Sequence, residues 1–157
     1  MISLNTKQKN TSFVVRALKG GNSLPLLEWV KMSESTFYKI GYAYFYDQAD
    51  IESVLIKTMQ QMYESVHSLS NADLFKDWVI STYLEQSEQH RTVNLRQDST
   101  PRMKELLTVL DRQTREMIVL NVYGSFTYEE IAQLLDVPKS QVISKSYKGL
   151  KYIQACY

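Results

Sequence analysis

Apolar positions recur at the three-to-four-residue spacing of amphipathic helices along nearly the whole chain, with no stretch that alternates like a half-buried strand. The spacing predicts a first helix over residues 11–19, stopped by Gly20-Gly21-Asn22, which suits the left-handed turn that closes a helix. Residues 24–46 read as one long helix or two abutting ones, with Phe37, Tyr38, Tyr42, Tyr44, Phe45 and Tyr46 crowding the end. Helices follow over about 50–65 and 72–89, the second with Asn71 as its N-cap. The Met59, Met62, Tyr63 stripe reads as core. After Gln89 the chain turns polar as far as Pro101, a residue suited to a first helical turn. Helices are then expected over about 101–110, 112–122, 128–135 and 139–155. The fold expected is all-α, with two small helical domains at 11–90 and 101–157 joined by a linker at 91–100.

The sharpest local pattern is Thr127-Tyr128-Glu129-Glu130-Ile131-Ala132-Gln133-Leu134-Leu135-Asp136-Val137-Pro138. Thr127 and Glu130 form a capping box that marks a helix start, and Ile131, Leu134 and Leu135 give that helix an apolar stripe. Asp136-Val137 is a short break, and Pro138 can open the next helix. That helix places Val142, Gly149, Leu150 and Ile153 toward a core, and Ser140, Gln141, Ser144, Lys145 and Lys148 on its other side. The pattern is a helix-turn-helix, whose second helix enters the DNA major groove. Gln141 has the donors and acceptors to read adenine, and Lys145 the donor to read guanine. Lys139, Lys148 and Lys151 are suited to phosphates. Lys145 and Lys148 are both expected to point to solvent. Asp136 stands where glycine is usual in such a turn, and Ser146 where a larger apolar residue would help the last helix pack.

Charge changes this picture only locally. The chain has 157 residues with a formal net charge of +1, so no global basicity marks a nucleic-acid partner. Residues 137–157 nevertheless carry four lysines and no acid, and a local basic segment of this kind is enough to meet phosphates. Cys156 is the only cysteine, which rules out an intramolecular disulfide. Residues 1–10 are polar, without the apolar core of a signal peptide, and no apolar run approaches the roughly 18–20 residues that span a bilayer. A cytoplasmic protein without membrane insertion is expected.

The stretch Leu110-Asp111-Arg112-Gln113-Thr114-Arg115-Glu116-Met117-Ile118-Val119-Leu120, the Thr127–Leu135 motif and the basic last helix together resemble domain 4 of the bacterial sigma-70 family, in its small extracytoplasmic-function group. That likeness covers about 106–153. Phe37-Tyr38-Lys39-Ile40-Gly41-Tyr42-Ala43-Tyr44, Asp47-Gln48-Ala49-Asp50 and Leu69-Ser70-Asn71-Ala72-Asp73-Leu74-Phe75-Lys76-Asp77-Trp78 are similar to sigma domain 2. The resemblance implies promoter DNA and core RNA polymerase as partners, with an anti-sigma factor as a further one. It implies a polymerase contact near Asp50, Glu52 and Lys57, and DNA contacts from Lys139, Ser140, Gln141, Ser144, Lys145, Lys148 and Lys151. Domain 2 departs from the family pattern. Ser53 replaces an acid, Ile56-Lys57 replaces a Gln-Glu pair, and Glu85 and Glu88 stand on the minus-ten helix, where they would repel phosphates.

No enzyme is expected. His67 and His90 stand apart from cysteines or carboxylates at ligand spacing, and no phosphate loop, nucleophile elbow or HExxH run occurs, so no metal, cofactor or catalytic residue is assigned. The clustered tyrosines suit packing better than base stacking. Three readings remain open: a promoter-directing sigma factor, a sigma-derived DNA-binding regulator that does not initiate transcription, and an adaptor that binds polymerase or an anti-sigma factor without touching DNA.

Overall fold

The computed structural model describes residues 4–91 and 103–156, and among them every regular element is helical. Helix α1 (Leu4–Lys19) begins earlier than the expected residue 11. It stops where the two glycines predict: Gly21 sits at φ 88°, and the N–H groups of Gly21 and Asn22 donate to Leu18 O and Ala17 O at 3.0 and 2.9 Å. The 24–46 segment breaks at Ser33 into α2 (Leu24–Met32) and α3 (Glu34–Tyr44). Helix α4 (Gln48–Ser65) follows, then two single 3₁₀ turns. Asn71 caps the second turn, its side-chain oxygen accepting from Asp73 N–H at 2.9 Å. The helix expected from residue 72 therefore becomes α-helical only at α5 (Phe75–Arg91). Arg91, placed in the linker by sequence, belongs to α5, and the rest of the expected linker lies outside the described residues.

The core of this half is aromatic. Phe37, Phe75 and Tyr83 are fully buried, Trp29 meets Phe37 and Phe75 edge-on, and Tyr83 donates to Phe37 O at 2.8 Å. Met62 is buried and Met59 half-buried, as a core stripe requires. Tyr63 departs from that reading: it is exposed and borders a shallow apolar groove with Leu26, Leu27 and Ile56. The crowded tyrosines also divide, Tyr44 being buried and Tyr42 exposed.

In the C-terminal half, α6 (Met103–Thr108) leads to α7 (Arg112–Ile118), capped by Asp111, whose carboxylate accepts from Thr114 N–H at 3.2 Å and Thr114 Oγ1 at 2.6 Å. These bonds, the Thr114 hydroxyl first, hold the Asp111 carboxyl below its ordinary range. The helix expected over 112–122 widens into a π-helical stretch at Val119–Tyr123. Helices α8 (Tyr128–Leu135) and α9 (Lys139–Ala155) complete the half at the bounds read from sequence. Val142, Ser146, Gly149 and Ile153 are the buried face of α9. A Cβ on Gly149 would lie 2.7 Å from Ile118 Cδ1 and 2.8 Å from Thr114 Cγ2, so glycine here lets α9 approach α7 closely. Ser146, at the position expected to want a larger apolar side chain, is buried with its hydroxyl unpartnered among the described residues.

The two halves share one hydrophobic core, with α3 packed on the Val119–Tyr123 stretch and α5 on α8. Tyr46 donates to the Glu105 carboxylate across this junction, and Lys76 Nζ lies 5.4 Å from the Phe126 ring centroid. The central contact is an ion pair. Glu88 of α5 is 7% exposed and Arg115 of α7 5% exposed. They meet through two parallel hydrogen bonds, Nε to Oε1 and Nη2 to Oε2, both 2.8 Å. Arg115 Nη1 also donates to Leu107 O and Leu110 O, while Arg91 and Tyr44 donate to the Glu88 carboxylate. Burial alone would raise the Glu88 carboxyl, but the Arg115 bonds and charge, joined by those of Arg91, outweigh it and leave the group below the ordinary glutamate range. Sequence assigned Glu88 to a phosphate-facing surface. The structure corrects this, because an acid in the interior persists only with cations against it.

Two outcomes follow for stability. Ser146→Ala removes an unpartnered buried hydroxyl and should stabilise the chain by about 1 kcal/mol, read as a rise in the denaturant midpoint without a change in slope. For Glu88, the lowered carboxyl contributes stability that is present above the ordinary glutamate range and is lost as pH falls through the lower, folded value. Glu88→Gln should therefore cost about 1.5–3 kcal/mol at neutral pH and much less in acid, measured by urea denaturation of both proteins across the acid range. Parallel pH curves for the two proteins would contradict it.

Candidate nucleic-acid interface

The C-terminal helix pair is positioned by local chemistry. Thr127 Oγ1 accepts from Glu130 N–H, and Thr127 N–H donates to Glu130 Oε1, both at 3.1 Å, which completes the capping box. Ile131 and Leu134 bury the stripe of α8. The turn then closes at Asp136, in the left-handed region at φ 54° and ψ 52°, where Val137 N–H reaches back to Ala132 O at 3.0 Å. Aspartate fills the place usual for glycine because its short side chain tolerates this conformation better than most. Pro138 is the N-cap of α9 rather than a first-turn residue, and its carbonyl accepts from Gln141 N–H and Val142 N–H.

With Val142, Ser146, Gly149 and Ile153 inward, the outer face of α9 is fixed by the helical period. Ser140, Ser144, Lys139, Lys148 and Lys151 are exposed, as expected. Lys139 forms a solvent-exposed pair with Glu129 at 3.2 Å, and Lys151 Nζ lies 5.9 Å from the Tyr147 ring centroid. Gln141 and Lys145 differ from expectation. Both are half-buried on the flank toward α7, and both donate to one atom, Gln113 Oε1, at 3.0 and 2.7 Å. Lys145 does not simply point to solvent. Two side chains passed over in the sequence occupy the outer face instead: Ile143 at 44% exposure and Tyr147 at 64%. The signal was available, since both positions fall a turn or two beyond Ser140.

The residues expected to meet polymerase cluster on α4. Asp50 Oδ1 lies 3.0 Å from His90 Nε2 and Lys57 Nζ 3.4 Å from His90 Nδ1, so α5 joins an acid and a base of α4 through one imidazole. Glu52 accepts from Tyr38 Oη at 3.2 Å and from Gln48 Nε2 at 3.1 Å. His90, isolated in the sequence, thus has a carboxylate partner in the fold. Among the described residues no His, Cys, Asp and Glu group could hold a metal ion, and no helix is long and apolar enough to cross a membrane.

These two surfaces can be set beside known proteins. Residues 102–153 match the family model for sigma-70, region 4. A comparison with the curated proteins finds none that matches. Among solved structures, CnrH in its complex with the cytosolic domain of CnrY is similar at a TM-score of 0.73 and 17% identity, over 93% of this chain and 96% of that one. The likeness is one of fold, and it runs through both halves. The segment that matches sigma-70, region 4, thus lies on a fold that CnrH shares along nearly the whole chain.

Proposed function

We propose that the chain is a sigma factor of the extracytoplasmic-function type that directs RNA polymerase to promoters, with residues 11–90 and 101–157 acting as its domain 2 and domain 4. The observation that carries this reading is the outer face of α9: exposed, free of acids, and held by a capped α8 within the segment that matches region 4. On this reading α9 lies in the major groove of the minus-thirty-five element. Lys139, Lys148 and Lys151 meet phosphates, and Ser140 and Ser144 lie against the bases. Leaving Glu129 costs Lys139 little, because an exposed pair contributes at most about 1 kcal/mol. Gln141 and Lys145 are held toward α7 by Gln113, off the outermost strip of α9. Core RNA polymerase docks at the surface around Asp50, Glu52 and Lys57. An anti-sigma factor is the further partner, a proposal supported by the similarity to CnrH, which was solved with the cytosolic domain of CnrY.

A second reading is favoured by one set of residues. Ser53 and Ile56-Lys57 take the place of acidic and amide residues on α4, and Glu85 is exposed on α5. Those substitutions suit a sigma-derived regulator that binds DNA without opening it. Mixing the purified chain with core RNA polymerase distinguishes the readings: the sigma factor should form the complex and yield promoter-dependent transcripts, the regulator should bind DNA without transcripts, and an adaptor should bind polymerase alone.

The DNA reading makes a quantitative prediction at Lys148. Lys148→Ala should weaken binding to all sequences alike and make the slope of log affinity against log salt shallower by about one, because one fewer counterion is released. Titrations at several salt concentrations on a selected duplex and on scrambled DNA measure this. An unchanged slope and affinity would remove Lys148 from the interface.

A further inference from the structure

We infer that Ile143 and Tyr147 carry the base discrimination of α9, and that the feature they read is the C5-methyl group of thymine. The inference rests on the proposed DNA reading and names what that surface recognises.

The side chains best equipped to hydrogen-bond base edges, Gln141 and Lys145, already donate to Gln113 Oε1 and sit half-buried against α7. These bonds hold both side chains on the flank toward α7, away from the outermost strip of the helix. The side chains that stand outward are of another kind. Ile143 and Tyr147 are four residues apart, so they share one side of the helix, and both leave much of their apolar surface in water. Single exposed apolar residues are ordinary on protein surfaces, so exposure alone argues little. Their setting argues more. Ser140 and Ser144 lie beside them and are small and neutral, which lets the helix approach a surface closely. Lys148 and Lys151 add long, exposed cationic side chains on one side of the pair, and Lys151 lies over the Tyr147 ring. An apolar pair set beside small residues and lysines fits a target that has an apolar group next to anionic ones. The major groove has that character where thymine occurs, because the C5-methyl is the apolar group among its base edges.

The test uses the full chain and a duplex selected by it from a random-sequence pool. Each thymidine of the selected site is replaced singly by deoxyuridine, which pairs identically and lacks only the methyl. At one or more positions the replacement should weaken binding about fourfold, the value of one methyl removed from an apolar contact. With Ile143→Ala or Tyr147→Ala, folded by circular dichroism, the thymidine and deoxyuridine duplexes should bind equally at the position which that side chain reads. The inference is overturned if every deoxyuridine duplex binds like the parent, or if both variants keep the full methyl effect. If that happens while Lys148→Ala still shallows the salt slope, α9 binds DNA by other contacts and only the methyl reading fails. If no duplex is enriched, the DNA reading and this inference fall together.

Discussion

Glu88 and Arg115 stand 27 positions apart in the chain and lie on opposite sides of the junction between its halves, yet neither is tolerable without the other. Taking a carboxylate and a guanidinium out of water costs several kcal/mol per ion, and their attraction offsets this only with good geometry and few unpaired donors. Both conditions hold here. The pair is bidentate, Arg115 Nη1 donates to the carbonyls of Leu107 in α6 and Leu110 just beyond it, and Tyr44 and Arg91 close on the carboxylate. Helices α3, α5, α6 and α7 are thereby tied to one small group of atoms. A buried pair of this kind adds little net stability compared with an apolar contact of the same volume, but it accepts only one arrangement. With the shared hydrophobic core and the Tyr46–Glu105 bond, it joins the two halves.

The same junction holds a second acid whose situation is the opposite. Glu116 is also buried, and its carboxyl is pushed up, first by burial and also by the charge of Glu88, although Arg112 bonds it at 2.8 Å. Arg115 favours Glu88 because its fork is aimed there, and Glu116 receives the more exposed Arg112. Tyr44 is driven well above its ordinary value by burial, then by the charges of Glu88 and Glu116, so it stays a neutral donor at the centre of the cluster. Two carboxylates close together are accommodated by giving one the well-oriented guanidinium and leaving the other easier to protonate.

Much of the fold was legible because it is written in local chemistry. The bounds of α8 and α9, the capping box, the Asn71 cap and the stop at Gly21 each depend on residues within a few positions of one another. What failed depended on distant partners. Glu88 reads as one more polar residue on α5 until Arg115 is brought to it. His90 looks isolated until α4 supplies Asp50. Gln141 and Lys145 look outward on a helical projection, and only the position of Gln113 on α7 shows that they lean sideways. The widening at Val119–Tyr123 leaves no pattern of its own, since a π-helical turn differs from an α-helical one by a single residue. Ile143 and Tyr147 are exposed on α9 for a local reason, since the helical period alone turns them away from Val142 and Ser146.

The near-neutral charge of the chain and its basic last helix are reconciled by how the lysines are held. Lys139 pairs with Glu129, Lys145 with Gln113, and Lys151 lies over an aromatic ring, so α9 does not present four unconstrained cations. Each tether is weak and near the surface, so each cation can exchange it for an anionic partner at little cost. The exposed serines, isoleucine and tyrosine of α9 are suited to short-range fit, and Gly149 allows the packing against α7 that holds that strip at its place in the fold.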